Sequence, residues 1–249
     1  MNVTAVKTKK IIAGRNTLTE VLSASLSSLA NGSILAVTSK IVSLCEGRAV
    51  KIGTVGKIAL IQAEADYYLS HIKSRYGISL TRKNDILIPS AGIDESNGNG
   101  YYVLWPRDPQ KSANAIRAYL RKHFSLSKVG VIITDSRTTP LRWGTSGVAI
   151  AWSGFSALKN YIGKPDVFGK KLRVTKANMA DALAAAAVVT MGEGKEQTPL
   201  AIIKDVPFVA FQNRNPSLRE LRSLRIKPSN DLYAPLLTAV RWKKGGGCS

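Results

Sequence analysis

Two short apolar runs rich in β-branched residues, Ile34–Val37 and Val129–Ile133, constrain this chain more than any other feature. Runs of this length and composition read as buried strands. Each passes directly into small polar residues: Thr38-Ser39-Lys40 after the first, Thr134-Asp135-Ser136 after the second. A third run, Ile86–Ile88, stops at Pro89 and leads through Ser90-Ala91-Gly92-Ile93 to Asp94, Glu95, Ser96 and Asn97. Buried strands that end on acids and hydroxyls suit a site, because a rigid scaffold can aim side chains from its ends.

The remaining pattern supplies partners for these strands. Thr4–Ile12, Tyr101–Trp105, Val148–Trp152 (between Gly147 and Gly154) and Leu200–Ile203 also read as strands. Thr17 with Glu20 forms a capping box, and the helix it opens is expected to reach about Leu29, ended by Asn31-Gly32. Helices are expected over Ile58–Ile72, closed by Tyr76-Gly77, and over Ser112–Phe124, with Ala113, Ile116, Tyr119 and Leu120 on one face. Another should start at Thr175 and run to Met191, dense in alanine and so able to pack closely, with Gly192 ending it. Pro216–Leu224 has a helical pattern, Lys159–Lys171 reads as loop, and Gly245-Gly246-Gly247 as a frayed tail. Strands and helices mix without a strict βαβ rhythm, which argues for an α+β or mixed α/β fold.

The 249 residues carry 36 Lys and Arg against 16 Asp and Glu, a formal net charge of +20. Such a balance attracts polyanions: a nucleotide, a small molecule with several phosphates or carboxylates, or nucleic acid. The bases are spread along the chain, with some crowding over Arg214–Lys244, and are not interleaved with aromatics, so nucleic acid is the secondary expectation. The start, MNVTAVKTKK, has no apolar segment after it, and the longest apolar tract, Ala182–Val189, is too short to span a bilayer. Cys45 and Cys248 are far apart and form no CxxC, which fits a reducing cytoplasm and neither a disulfide framework nor a zinc site.

Asp94, Asp135 and Glu193 share a context: each sits where a regular element gives way to small residues. With only His71 and His123 available, a histidine-rich metal site is excluded, and carboxylates with hydroxyls suit Mg2+ or Mn2+. Taken singly, Asp135 reads rather as a turn or N-cap residue and Glu193 as a solvated loop acid; it is their shared context that points to a site. Thr38-Ser39-Lys40 and Met191-Gly192-Glu193-Gly194-Lys195 could cradle phosphate, although neither is a Walker motif or a dinucleotide fingerprint. The turn Pro140-Leu141-Arg142-Trp143-Gly144 offers one Arg, either as a clamp for a carboxylate or phosphate or as part of a surface loop with Trp143 packed inward. No Ser/His/Asp signature is present, and Cys45 has no evident His partner, so covalent catalysis is not expected.

These segments also match a known pattern. SKIVSLCEGR (Ser39–Arg48), IPSAGIDESN (Ile88–Asn97), WPRDPQKSA (Trp105–Ala113), VGVIITDS (Val129–Ser136), PLRWGTSGVAIAWSGF (Pro140–Phe155), GKPDVFGKKLRVT (Gly163–Thr175) and ADALAAAAVVTMGEG (Ala180–Gly194) occur in order. Over about residues 4–204 the chain resembles the coenzyme F420-0:γ-glutamyl ligase family, and looks closest to a bacterial branch considered folate-directed. The resemblance implies an α+β fold of mixed sheets with packed helices and an intertwined homodimer. It implies one catalytic unit of two lobes, the middle of the chain (about 85–187) forming one and the two ends the other. It also implies GTP or ATP as cosubstrate, two sites for Mg2+ or Mn2+, a monovalent cation such as K+, L-glutamate, and an F420-0 or folate acceptor.

By position, the resemblance makes Asp94 and Asp135 ligands of one metal, and Ser136 and Glu193 ligands of a second. It assigns Ser39, Lys40, Asn97 and the loop from Met191 to Thr198, with Gly192, Gly194 and Lys195, to the nucleotide. Independently of the resemblance, Arg142 is expected either to grip an anionic substrate group or to make a structural ion pair, with Asp166 as the candidate partner. The sequence departs from the family pattern at Leu44, where a Lys is usual, at Thr138-Thr139, where Gly-Arg is usual, and around Lys9–Gly14, where a Pro is missing. These departures bear on the acceptor and on GTP against ATP. The opposing expectation is a basic nucleic-acid-binding protein on a degenerate ligase scaffold, and the intact Asp94, Asp135 and Glu193 favour the ligase.

Overall fold

The computed structural model describes residues 1–69 and 76–247. His71, the end of the helix expected to reach Ile72, and Cys248 lie outside them. The first part of the chain forms β1 (Asn2–Val6), α1 (Leu18–Ser25), β2 (Ser33–Thr38) and α2 (Ser39–Cys45). Then come β3 (Ala49–Lys51), α3 (Lys57–Glu64), β4 (Tyr67–Tyr68), β5 (Leu80–Lys83), β6 (Ile86–Pro89) and β7 (Tyr101–Val103). The middle supplies α4 (Pro109–His123), β8 (Val129–Arg137), β9 (Ser146–Ser153), β10 (Leu158–Asn160), β11 (Lys176–Asn178) and α5 (Met179–Met191). β12 (Leu200–Lys204), α6 (Leu218–Leu224), α7 (Ala234–Ala239) and β13 (Lys243–Lys244) complete it.

The main sheet has the order β1-β12-β2-β8-β9, with β2 and β8 parallel and the other neighbours antiparallel. Both faces are covered, which is why its central strands are apolar throughout. Leu35 and Val37 of β2, with Val129, Val131 and Ile133 of β8, pack on one face with α1, α2 and α4. Ile34, Ala36 and Ile132 point the other way, into a core shared with α5. This is the two-residue strand period with both sides buried. A second set of strands, β13-β4-β5-β6 and the β3-β7 pair, encloses a smaller core with α3, built on Leu60, Ile61, Ala65, Ile93, Tyr102 and Leu104. The fold is α+β, as the mixed pattern indicated.

The alanine-rich helix α5 packs so closely on β9 that Gly147 has no room for a side chain. A Cβ there would lie 2.4 Å from the Ala184 carbonyl oxygen and 2.8 Å from Val188 Cγ2. The obstruction is helix backbone, which cannot rotate away. Gly147→Ala should therefore destabilise the protein by about 1–3 kcal/mol through overpacking. Chemical denaturation checks this; a loss below about 0.5 kcal/mol would mean that α5 shifts freely.

Several expectations are corrected. The helix opened by the Thr17–Glu20 capping box is present but ends at Ser25. α3 is shorter than the stretch Ile58–Ile72 suggested, because Tyr67-Tyr68 leave it to pair with β5, and the Asp66 carboxylate holds Asn84 N–H at 2.7 Å. Ser39–Cys45, for which the sequence indicates no element, is a helix although its Ile and Val favour a strand; burying Ile41, Val42 and Leu44 outweighs that preference. Lys159–Lys171 is flanked by the β10–β11 hairpin, so α5 begins at Met179, capped by Asn178, rather than at Thr175. The tail is not frayed: Gly245, Gly246 and Gly247 donate backbone hydrogen bonds to Asp66, Gln62 and Ala65 carbonyls at 2.9–3.0 Å. A Cβ on Gly245 would stand 2.1 Å from Ala65 O, so glycine is required there.

Candidate functional site

The ends of β2, β6 and β8 and the C-terminal end of α5 border one cavity of about 1030 Å³. Its lining includes Ser39, Lys40, Asp94, Asn97, Asp135, Ser136 and the loop from Met191 to Pro199. Four segments far apart in the chain, whose acids and phosphate-cradling groups were singled out from sequence, therefore meet.

The turn before Asp94 is tight. Ser90, Ala91 and Gly92 all have positive φ, at 49°, 55° and 70°. Buried Thr81 braces it, donating its hydroxyl to Ile88 O at 2.5 Å and accepting Ala91 N–H at 2.7 Å. Two non-glycine residues in the left-handed region are costly and persist only where the surroundings hold them. The turn presents Asp94 to Lys40, whose Nζ lies 2.6 Å from Oδ2. Lys40 also donates to Ser96 O at 3.0 Å, and Asp94 Oδ1 accepts the Ser96 N–H and hydroxyl at 2.7 and 2.8 Å. Burial works against the Asp94 charge, but Lys40 and Ser96 outweigh it and hold this carboxyl below its ordinary range.

Asp135 is in the opposite condition. It lies within β8 rather than after it, because the strand continues to Arg137 past an irregularity in its pairing with β9 at Ile133/Thr134. Burial pushes its carboxyl up to about 6, although the Trp105 indole and the Ser136 N–H donate to it; the negative charge of Asp94 adds to the rise. Trp105 Nε1 donates to Oδ2 at 2.5 Å. Beside Asp135, the Ser136 hydroxyl donates to Glu193 Oε1 at 2.7 Å, and the Thr145 hydroxyl reaches the same oxygen at 3.2 Å.

The three acids and Ser136 thus fall into two neighbouring pairs, Asp94 with Asp135 and Ser136 with Glu193. Among the described residues no three His, Cys, Asp or Glu side chains converge on one point. Any cation here would have one or two carboxylates, a hydroxyl, and otherwise water or substrate oxygens. Mg2+ is commonly held in that way. The half-buried Asp135 carboxylate feels the negative charge of Asp94, with Lys40 acting on both, and such a pair is also electrostatically suited to a further positive charge. The donor set fits a hard cation.

The loop after α5 is held by its own acid. Gly192 has φ 78° and ends the helix, and a Cβ there would lie 2.7 Å from Glu196 Cδ. Glu196 accepts the Gly194 N–H at 2.8 Å, and Asn97 Nδ2 donates to Gly194 O at 3.0 Å. Lys195 lines the cavity; Met191 turns its side chain into the core and offers its carbonyl to the Thr198 hydroxyl. Of the departures, Leu44 and Thr138 line the cavity, as do Lys9, Lys10, Ile11 and Ile12. Arg142 is exposed and outside the cavity lining, which takes Thr138 and Thr145 from either end of its loop. Trp143 does not pack inward: it is 91% exposed and meets Tyr76 edge-on at 6.3 Å. Asp166 forms no ion pair with Arg142 and instead accepts Phe168 and Lys170 N–H groups at 2.9 Å.

The sequence marks Glu196 only as part of the Met191–Thr198 loop, and gives Thr145, Lys57 and Trp105 no role at the site. Lys57 lines the cavity and pairs with Glu95 at 2.8 Å. None sits in a local pattern that marks it, except that Trp105 closes an apolar run just before Pro106.

A family model described as F420-0:Gamma-glutamyl ligase matches residues 5–205. The chain is 31% identical over 221 residues to a coenzyme F420:L-glutamate ligase of Methanopyrus kandleri, which covers 82% of this chain and 86% of that one. It is 42% identical over 125 residues to the protein of the same name in Methanococcus maripaludis strain C6, half of each chain. It is 38% identical over 138 residues to that of Haloarcula marismortui, covering 55% and 53%.

Proposed function

The chain belongs to the F420-0:gamma-glutamyl ligase family and is an amide-forming ligase, and we propose that it joins L-glutamate to a carboxylate of F420-0 or a folate at the expense of a nucleoside triphosphate. The observation that carries the reading of the site is the pairing of Asp135, a half-buried carboxylate whose charge is disfavoured, with Asp94 at the wall of a large cleft. In this reading Asp94 and Asp135 would hold one Mg2+ or Mn2+, and Ser136 and Glu193 a second; the chemistry such ions would supply there is neutralisation of phosphate charge during transfer.

A carboxylate is a poor electrophile, so the acceptor must be activated. Its carboxylate oxygen attacks the γ-phosphorus, the bond to the β-phosphate oxygen breaks, and the nucleoside diphosphate departs. The α-amine of glutamate then attacks the acyl carbon, inorganic phosphate leaves with the C–O electron pair, and the amine gives up its proton. Ser39, Lys40, Asn97 and the Met191–Thr198 loop position the nucleotide. In phosphoryl transfer the protein chiefly positions groups and stabilises charge. The net charge of +20 suits a site that gathers a triphosphate, a glutamate and an acidic acceptor. A cytoplasmic setting supplies all three. Exposed Leu141, Trp143, Val167, Phe168 and Val174, each at least 85% accessible, support a second copy of the chain covering these loops.

Mass spectrometry tests the activity: F420-0 and a reduced folate are each incubated with L-glutamate, Mg2+ or Mn2+, and GTP or ATP. Added glutamyl units on one acceptor are expected, with stoichiometric diphosphate. No product with any combination, together with tight RNA binding of steep salt dependence, would favour the nucleic-acid reading.

Arg142 gives a further check. Thr138 and Thr145 bring both ends of its loop to the cavity, and its exposed side chain has no ion pair among the described residues, so Arg142→Lys should leave Tm unchanged while raising the KM for glutamate or acceptor. A lowered Tm with unchanged KM would assign Arg142 to the scaffold.

A further inference from the structure

We propose that Trp105 is a positioning residue: its indole sets the spacing and orientation of Asp94 and Asp135 for a divalent cation. The proposal rests on the reading of those two carboxylates as cation ligands. Trp105 is fully buried, in a small cluster with Ile88 and Val148. Its Nε1–H has Asp135 Oδ2 as its acceptor. An indole can donate and cannot accept, and its ring cannot rotate within a packed core, so this hydrogen bond points in one direction only. With the Ser136 N–H also donating, the plane of the Asp135 carboxylate is set before any cation arrives.

The same indole shapes the turn that carries Asp94. A Cβ at Gly92 would lie 2.0 Å from Trp105 Nε1 and 2.4 Å from Cε2. The Ser90–Gly92 turn therefore passes directly over the ring, two residues before Asp94. One rigid group touches both carboxylate-bearing segments at the donor atom itself.

The ring is in turn held by charge. Arg48 Nε donates to the Trp105 carbonyl at 3.1 Å, and its Nη2 reaches Glu64 Oε1 and Oε2 at 2.8 and 2.7 Å. Lys83 Nζ lies 2.6 Å from Glu64 Oε2 and 5.6 Å from the Trp105 ring centroid, a cation–π contact. Thus α3, β5 and the segment before β3 together fix the indole. Groups behind metal ligands commonly govern affinity in this way.

The test is Trp105→Phe, which keeps an aromatic ring and removes the N–H. Mn2+ binding to the nucleotide-free protein is followed by electron paramagnetic resonance, alongside thermal unfolding and the Mn2+ dependence of turnover. A folded variant should bind Mn2+ about 10–100-fold more weakly, with a raised apparent KM for Mn2+ and kcat largely recovered at saturation. Unchanged Mn2+ affinity in a folded variant overturns the proposal and leaves Trp105 as core packing. Wild-type protein that binds no Mn2+ at all would instead refute the cation reading of Asp94 and Asp135. If the variant does not fold, the indole N–H resonances of 15N-labelled wild type decide. The Trp105 signal, identified by its response to Asp135→Asn, should shift on adding Mg2+, and a signal that does not move overturns the proposal.

Discussion

Asp135→Asn should lower turnover by about 10²–10³-fold or more while leaving the fold intact, the scale seen when a preorganised charge-stabilising group is removed. Asp135 belongs to one pair and adjoins the other: Asp94 acts on its charge, and Ser136, hydrogen-bonded to Glu193, is its neighbour in β8. Losing its charge weakens both cation positions together. Ser136→Ala removes one neutral ligand of one position and should cost less. The amide of asparagine keeps a carbonyl oxygen for the Trp105 N–H, so the local packing survives. Stability should hold or rise, because at neutral pH the wild-type charge is disfavoured by burial and by Asp94. Steady-state kinetics across Mn2+ concentrations, with thermal unfolding as control, check this. Near-normal turnover of the variant at modest Mn2+ would refute the two-cation assignment.

Glu64→Gln should produce the largest loss of stability, about 3 kcal/mol, since it strands Arg48 and Lys83 in partly buried positions without their shared counter-charge. For a chain of this size the corresponding fall in Tm is on the order of 10 °C. Burial opposes the charge on Glu64, but the hydrogen bonds and positive charges of Lys83 and Arg48 outweigh it, and its pKa lies below the ordinary value. A carboxyl depressed in the folded state contributes stability above its unfolded pKa and loses it as pH falls through the folded value. The gap between wild type and variant should therefore be full at pH 7 and close at acid pH, below the ordinary Glu range. Adding Lys83→Met to Glu64→Gln should recover part of the loss by removing one stranded cation. Denaturation curves at several pH values measure all three proteins. A gap that stays constant from pH 7 down to acid, or one below about 1 kcal/mol, would show that water serves these cations well enough without Glu64. Because the same triad holds Trp105, the folded variant should also bind Mn2+ more weakly than wild type.

Signals carried within a few residues were legible from sequence. Thr17 and Glu20 form their capping box because both partners lie on one turn of chain. The runs in β2, β8 and β12 are strands because β-branched residues fit a sheet covered on both faces. Gly192 ends α5 because it can take positive φ. The ordered motifs likewise placed Asp94, Asp135, Ser136 and Glu193 as candidates, and these four line one cavity. Tertiary structure decided the rest, and in each case the deciding partner is distant in sequence. Ser39–Cys45 is helical because its apolar side chains meet the main sheet, and Tyr67-Tyr68 leave the expected helix because β5 offers them a pairing edge. Gly245–Gly247 are ordered by the carbonyls of α3 and the residues that follow it. The role of Trp105 depends on Gly92, Asp135 and Arg48, up to 57 residues away along the chain. Local sequence sets which conformations are cheap for a segment; only the assembled core determines which buried donor finds which buried acceptor.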